Sequence, residues 1–186
     1  MSNSTLNLKD FVRDVPDFPE KGILFRDIGP LLASPEALTE TRKQFLALVA
    51  DEKPTKIAAI DARGFTLAGM IASDLNAGIV MVRKPGKLPG DVVKQEYVLE
   101  YGRAALEIQK DAIRAGERVL IIDDVIAIGG TAGAAIDLVR KVGGEVTSVA
   151  ALIELRGLKG REKINSPETV ASRGGQTVKV HSVLQY

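Results

Sequence analysis

The sequence predicts an α/β fold: an open, mainly parallel sheet flanked by helices. Three observations carry this. Short apolar runs at 56–60, 79–82 and 119–122 end abruptly at turn signals, as buried parallel strands do. Stretches with helical apolar spacing lie between such runs, as at 66–75 and 131–142. The best-defined unit, residues 119–142, reads VLIIDDVIAIGGTAGAAIDLVRKV, which is strand, acidic pair, glycine turn and helix in direct succession. A chain of 186 residues suits one such domain with enough length to bury a core.

Taken in order, the chain begins irregularly. Leu8, Phe11, Val12 and Val15 have helical spacing, which Pro16, Pro19 and Gly22 interrupt. Phe18, Ile23, Leu24, Phe25 and Ile28 then fall in a loop-like context, and the plain reading is an arm stapled onto the main sheet. Ser34-Pro35-Glu36 is a helix start, with an N-cap, a proline at the first helical position and an acid in the first turn. Leu38, Thr41, Phe45, Leu48 and Val49 mark its packed side, and this helix reads as scaffold. The strand at 56–60 ends on Asp61, and Ala62-Arg63-Gly64-Phe65 turns into a helix over 66–75. The strand at 79–82 runs into Arg83, Lys84 and Lys87. Residues 91–107 alternate around Tyr101-Gly102 as a mobile hairpin. After the central unit come a buried strand at 145–153, a polar surface loop at 165–176 and a last strand at 178–184.

Composition excludes several kinds of chemistry. A net charge of +1 is too small for a general polyanion binder. There is no cysteine, so thiolate catalysis, disulfides and Cys-based zinc sites are out. The single histidine, His181, leaves no His cluster for a metal and reads as structural. No apolar run reaches membrane-spanning length and the polar start is not a signal peptide, so the expectation is a cytoplasmic protein that binds neither membrane nor nucleic acid.

The chemistry concentrates at strand ends. Two carboxylates, Asp123 and Asp124, follow the strand at 119–122, and the small-residue loop Ala127, Ile128, Gly129, Gly130, Thr131 leads into a helix. Glycines admit a close ligand, and the N–H groups at a helix N-terminus receive an anion. By itself this pattern also allows solvated acids and an ordinary Thr cap. Neither G-x-x-x-x-G-K-[ST] nor G-x-G-x-x-G occurs, which removes the P-loop and dinucleotide alternatives. Arg83, Lys84 and Lys87 would pass for a solvated loop, but they follow a strand end on the side where open α/β sheets bind ligands.

The strand, acidic pair and G-G-T loop resemble the motif that binds phosphoribosyl diphosphate (PRPP) in type I phosphoribosyltransferases. The segment P-D-F-P-x-x-G-I-L-F-R-D-I resembles the base-binding hood of the adenine enzymes, and L-E-Y-G resembles their flexible catalytic loop. R-K-x-G-K-L-P-G resembles a cationic stretch of the family, and GLKGREKI a short stretch shared by the adenine enzymes. The resemblance implies a single phosphoribosyltransferase domain over 1–186, with 1–33 as arm and hood and 34–186 as a core carrying a flexible loop at about 91–107. It implies transfer of the phosphoribosyl group from PRPP to adenine, giving AMP and diphosphate, with Mg²⁺ held mainly by PRPP. Asp123 and Asp124 would then sit beside the ribose hydroxyls, and Ala127 to Thr131 would wrap the 5′-phosphate. Arg63 would hold the diphosphate, with Arg83, Lys84 and Lys87 adding positive charge. Phe25 would stack on adenine, backbone groups of Leu24 and Arg26 would bond its edge, and Leu155 would close the pocket. Glu100 would be the general acid/base and Tyr101 would help cover the site. Family members are usually homodimers. This chain departs from the pattern at Ile128, where the family usually has Thr, and at Ala62, where Ser is commoner. Two other readings follow the same motif: an enzyme for hypoxanthine or guanine, and a non-catalytic PRPP-binding regulator, a class with an extra DNA-binding domain.

Overall fold

The structure, a computed structural model, describes residues 6–98 and 103–186. It divides into two compact units, Met1–Gln44 and Phe45–Tyr186.

In the first unit a 3₁₀ turn, Leu8–Phe11, is capped by the Asn7 side chain, and the chain then extends into β1 (Arg13–Pro16). The helical spacing over 8–15 thus yields one turn only, because Pro16 disfavours helical geometry at Val15 before it. β1 pairs antiparallel with β2 (Leu24–Asp27), placing Val15 opposite Phe25. The segment read as loop-like is therefore partly strand, and its sheet is a separate two-stranded one. A short helix α1 (Gly29–Ala33), absent from the sequence reading, leads to α2 (Pro35–Val49). The Ser34 hydroxyl accepts the Ala37 N–H at 3.2 Å, the N-cap bond that the sequence predicts. The buried line of α2 is Ala37, Thr41, Phe45 and Val49, while Leu38 and Leu48 are only half-buried.

The second unit carries a five-stranded sheet. Its strands are β3 (Lys56–Ile60), β4 (Gly78–Val82), β7 (Arg118–Ile126), β8 (Glu145–Glu154) and β9 (Lys179–Gln185), and an antiparallel hairpin of β5 (Val92–Val98) and β6 (Arg103–Gln109) comes between β4 and β7 in the chain. Every pairing in the larger sheet is parallel and the order is β4-β3-β7-β8-β9. Helix α3 (Arg63–Ile71) joins β3 to β4, and α4 (Gly130–Lys141) joins β7 to β8.

The strands alternate between two cores. Ala58, Ile60, Val80, Val82, Ile121 and Val149 share one cluster with Ala135, Leu138 and Val139 of α4. Ile57, Ala59, Leu120 and Ile122 are buried on the opposite face, where α3 contributes Leu67, Ala68 and Ile71. Each fully buried Ile or Leu stabilises the fold by roughly 1.5–3 kcal/mol. Because α3 and α4 cover opposite faces, the connections leave β3 and β7 in opposite directions. The gap between those two strands is the switch point where open α/β sheets bind ligands.

Two boundaries differ from the sequence reading. β7 continues through the acidic pair to Ile126, since Asp123 and Val125 still pair with Ala151 and Ile153 of β8. The stretch 165–176, read as a loop, contains α6 (Pro167–Ser172), capped by Ser166, after a short α5 (Gly160–Ile164). Elsewhere His181 bonds Glu52 at 2.9 Å within the second unit. Among the described residues no helix is long and apolar enough to cross a membrane.

Candidate active site

The carboxyl ends of β3 and β7 build the site. Where β3 stops, the Asp61 N–H bonds Val82 O at 2.9 Å, and α3 begins almost at once with Arg63, earlier than the sequence suggests. Gly64 permits this: a Cβ there would lie 2.8 Å from Ile122 O of β7. The tight join puts Arg63 beside β7, and its Nε donates to Asp124 Oδ2.

Arg83, at the end of β4, donates to Asp61 Oδ2 at 2.9 Å and to Lys87 O at 3.1 Å. Its guanidinium also lies 5.7 Å from the centre of the Phe65 ring. Backbone bonds tie Arg83 to Glu107 of β6, and the Glu107 carboxylate accepts the Gly86 N–H at 2.9 Å. The turn of Lys84 and Lys87 is thereby fixed to the hairpin stem, with both lysines exposed.

The acidic pair is asymmetric. Asp123 is only 7% exposed and its carboxylate accepts the Asp124 N–H at 2.8 Å. Burial pushes the Asp123 carboxyl well above the usual range, and the Asp124 charge adds to this. A carboxyl raised in the folded state contributes stability below its unfolded pKa of about 3.9 and loses it as pH rises through the folded value. Asp123→Asn is therefore expected to melt higher than the native chain at neutral pH, with the gap shrinking as pH falls toward 4. Thermal melts across that pH range check it.

The loop after β7 holds Gly129 in left-handed geometry, φ 82°, as N-cap of α4. No side chain caps this helix; Thr131 lies inside its first turn rather than at the cap. The amides of the first turn thus have no side-chain competitor for an anion. A cavity of about 370 Å³ opens there, lined among others by Asp61, Lys84, Asp123, Asp124 and Thr131. Its volume suits a small phosphorylated ligand.

The structure brings Lys84, Asp123, Asp124 and residues 127–131 onto one cavity, while Arg63 and Arg83 stand at its strand ends, held by acids. Tyr97, Ala104 and Leu106 of the hairpin stems also line it, residues the sequence reading passed over although they share one face of an alternating hairpin. Leu155 follows β8, half-buried, with its N–H on Ile126 O at 2.9 Å. In the first unit Phe25 lies in β2 with its ring 5.1 Å from that of Phe18, edge to face, and Arg26 bonds Asp14. Leu24 is 45% exposed. Glu100 and Tyr101 lie outside the described residues.

The family described as "Phosphoribosyl transferase domain" matches residues 29–182. The adenine phosphoribosyltransferase of Thermotoga petrophila is 52% identical over 161 residues, covering 87% of this chain and 95% of that protein. The chain belongs to the adenine phosphoribosyltransferases. Solved structures of the family agree in fold. The adenine phosphoribosyltransferase of Rhodothermus marinus superposes with a TM-score of 0.86 at 49% identity, covering 96% of both chains. That of Giardia lamblia, complexed with 9-deazaadenine, gives 0.86 at 38% identity and the same coverage of both.

Proposed function

We propose that the chain transfers the 5-phosphoribosyl group of PRPP to adenine, forming AMP and diphosphate, a purine-salvage reaction. The observation that carries this is the placement of an uncapped helix start and an acidic pair on one cavity at the sheet's switch point. The loop 127–131 binds the 5′-phosphate through backbone N–H groups and Thr131. Asp123 and Asp124 take the ribose hydroxyls. Arg63, with Arg83, Lys84 and Lys87, takes the charge of the departing diphosphate. Residues 1–33 supply base recognition: the Phe25 face for stacking, and backbone groups of Leu24 and Arg26 for the ring edge. The bond from C1′ to the diphosphate oxygen breaks as N9 of adenine bonds C1′. Glu100 accepts the proton the ring sheds, and Tyr101 helps the 91–107 loop exclude water.

Mg²⁺ fits this reading as an ion held mainly by substrate. Asp123 and Asp124 are the carboxylates on this cavity that would face a Mg²⁺ brought in with the substrate. Bound there, it would neutralise phosphate charge.

Adenine, hypoxanthine and guanine offered in parallel with PRPP and Mg²⁺ test the reading. AMP from adenine alone supports it; product from another purine overturns the specificity, and PRPP binding without product favours a regulator. Ile128 bears on the same assay. It lines the cavity where a hydroxyl would add one bond to the phosphate. Ile128→Thr is expected to lower the PRPP KM by about tenfold, the worth of one charge-assisted bond, and an unchanged KM would discard this account of the position.

The working form is a homodimer in the cytoplasm, where its phosphorylated substrates are retained. Edge strand β4 supports the dimer, since it exposes Ile79 at 44% and Met81 at 45%. Light scattering is expected to give a dimer for the native chain and a monomer for Met81→Lys; a native monomer would refute it.

A further inference from the structure

The phosphate loop is backed by a residue thirty-odd positions away in sequence. Gly160, first in α5, presses its backbone on the turn from Ala127 to Gly129. A Cβ on Gly160 would run into Ala127 O, and would lie 2.9 Å from the Ile126 side chain and 3.0 Å from Gly129 N. The exclusion is mutual, because a Cβ on Gly129 would lie 2.6 Å from Gly160 O. Two stretches of main chain therefore meet with no side chain between them, and neither can shift without moving the other.

The next residue anchors that contact. Glu154, 2% exposed at the end of β8, accepts Arg161 Nε at 2.9 Å and Nη2 at 2.5 Å, and the Ser182 hydroxyl at 2.6 Å. Arg161 Nη1 donates to Val180 O of β9. Arg161 also holds the Glu154 carboxyl below its ordinary range. An ion pair this buried is weak evidence of added stability, but it does fix one geometry for the segment that carries it.

We propose that Gly160, held in place by the Glu154–Arg161–Ser182 network, is a positioning residue for 5′-phosphate recognition. By wedging against the 127–129 turn it sets the peptide planes whose N–H groups meet the phosphate. The inference rests on the reading of 127–131 as a phosphate site. The selectivity of that loop is then set in part from outside the loop, by a contact that requires glycine on both sides.

Calorimetry with ribose 5-phosphate and steady-state kinetics test this. Gly160→Ala is expected to raise the ribose 5-phosphate Kd and the PRPP KM by about tenfold or more, the loss of at least one aligned bond to an anion. Its kcat and adenine KM should stay within about twofold, a split that general destabilisation would not produce. Gly157→Ala, where nothing lies within 4 Å, is expected to bind like the native chain. Native affinity in Gly160→Ala overturns the proposal, as does an equal loss in Gly157→Ala. If Gly160→Ala fails to fold by circular dichroism, Arg161→Lys decides the matter: it breaks the two-bond pairing without adding a Cβ at the contact. A several-fold weaker ribose 5-phosphate Kd supports the proposal, and native affinity overturns it. A native chain that binds ribose 5-phosphate but makes no AMP sinks the transferase reading alone; one that binds no ribose 5-phosphate sinks both.

Discussion

Glu100→Gln is expected to lower kcat for AMP synthesis by about 10²–10⁴-fold, the usual worth of a general acid/base. The PRPP KM should move little, because the turn 127–131, the acidic pair and the cations proposed to hold PRPP lie elsewhere in the chain. Adenine loses its N9 proton as the glycosidic bond forms, so a neutral amide leaves that proton without an acceptor. The charge matters, not only the shape, and Glu100→Asp should therefore recover part of the rate. A pH profile of kcat separates the roles: the native chain should show an acidic limb, and the amide variant should lack it. A native kcat in Glu100→Gln would remove this residue from the chemistry and leave it a covering role beside Tyr101.

Arg63→Ala is expected to cost about 10²–10³-fold in kcat/KM for PRPP, the scale seen when one preorganised donor to a developing charge is removed. The leaving diphosphate accumulates negative charge as C1′ loses it, and Arg63 starts α3 beside the acidic pair. In the structure its guanidinium is engaged by Asp124, so on the proposed role PRPP would draw it away from that carboxylate. Removing Arg63 has a second effect, since Asp124 then faces the buried Asp123 without this counter-charge. Arg63→Lys should recover less than half of the lost binding energy, because an ammonium cannot reproduce a forked donor. Product inhibition by diphosphate gives the check: its inhibition constant should rise in step with the PRPP KM. A rise in PRPP KM without a rise for diphosphate would place Arg63 on the 5′-phosphate or ribose instead.

Local signals suffice where one element carries the whole message. The unit at 119–142 is continuous in sequence, and its strand, glycine turn and helix all form. The same holds for 56–60, which is a strand over those very residues. Ser34-Pro35-Glu36 foretold α2, but the identical trio Ser166-Pro167-Glu168 was passed over as loop. There the Ser166 hydroxyl does cap the helix, accepting the Thr169 N–H at 3.3 Å. The difference is that α6 has no buried residue, so no apolar periodicity supported its cap. β2 escaped for another reason. Its strand character comes from pairing with β1, from Arg13 with Asp27 to Pro16 with Leu24, and pairing leaves no mark in a propensity.

The sequence by itself determined the kind of fold, the glycine turn that opens α4, the acidic pair and the run of cations, because each is a short pattern of adjacent residues. Only the tertiary structure decided the strand order β4-β3-β7-β8-β9, and with it the meeting of Asp61 and Asp124 at one switch point. Only the folded chain pairs Arg63 with Asp124 and Arg83 with Asp61, buries Asp123, and sets Gly160 against Gly129. These are contacts between segments far apart in the chain. They arise from how layers pack, and no local run of residues encodes a distance to a partner that packing has yet to supply.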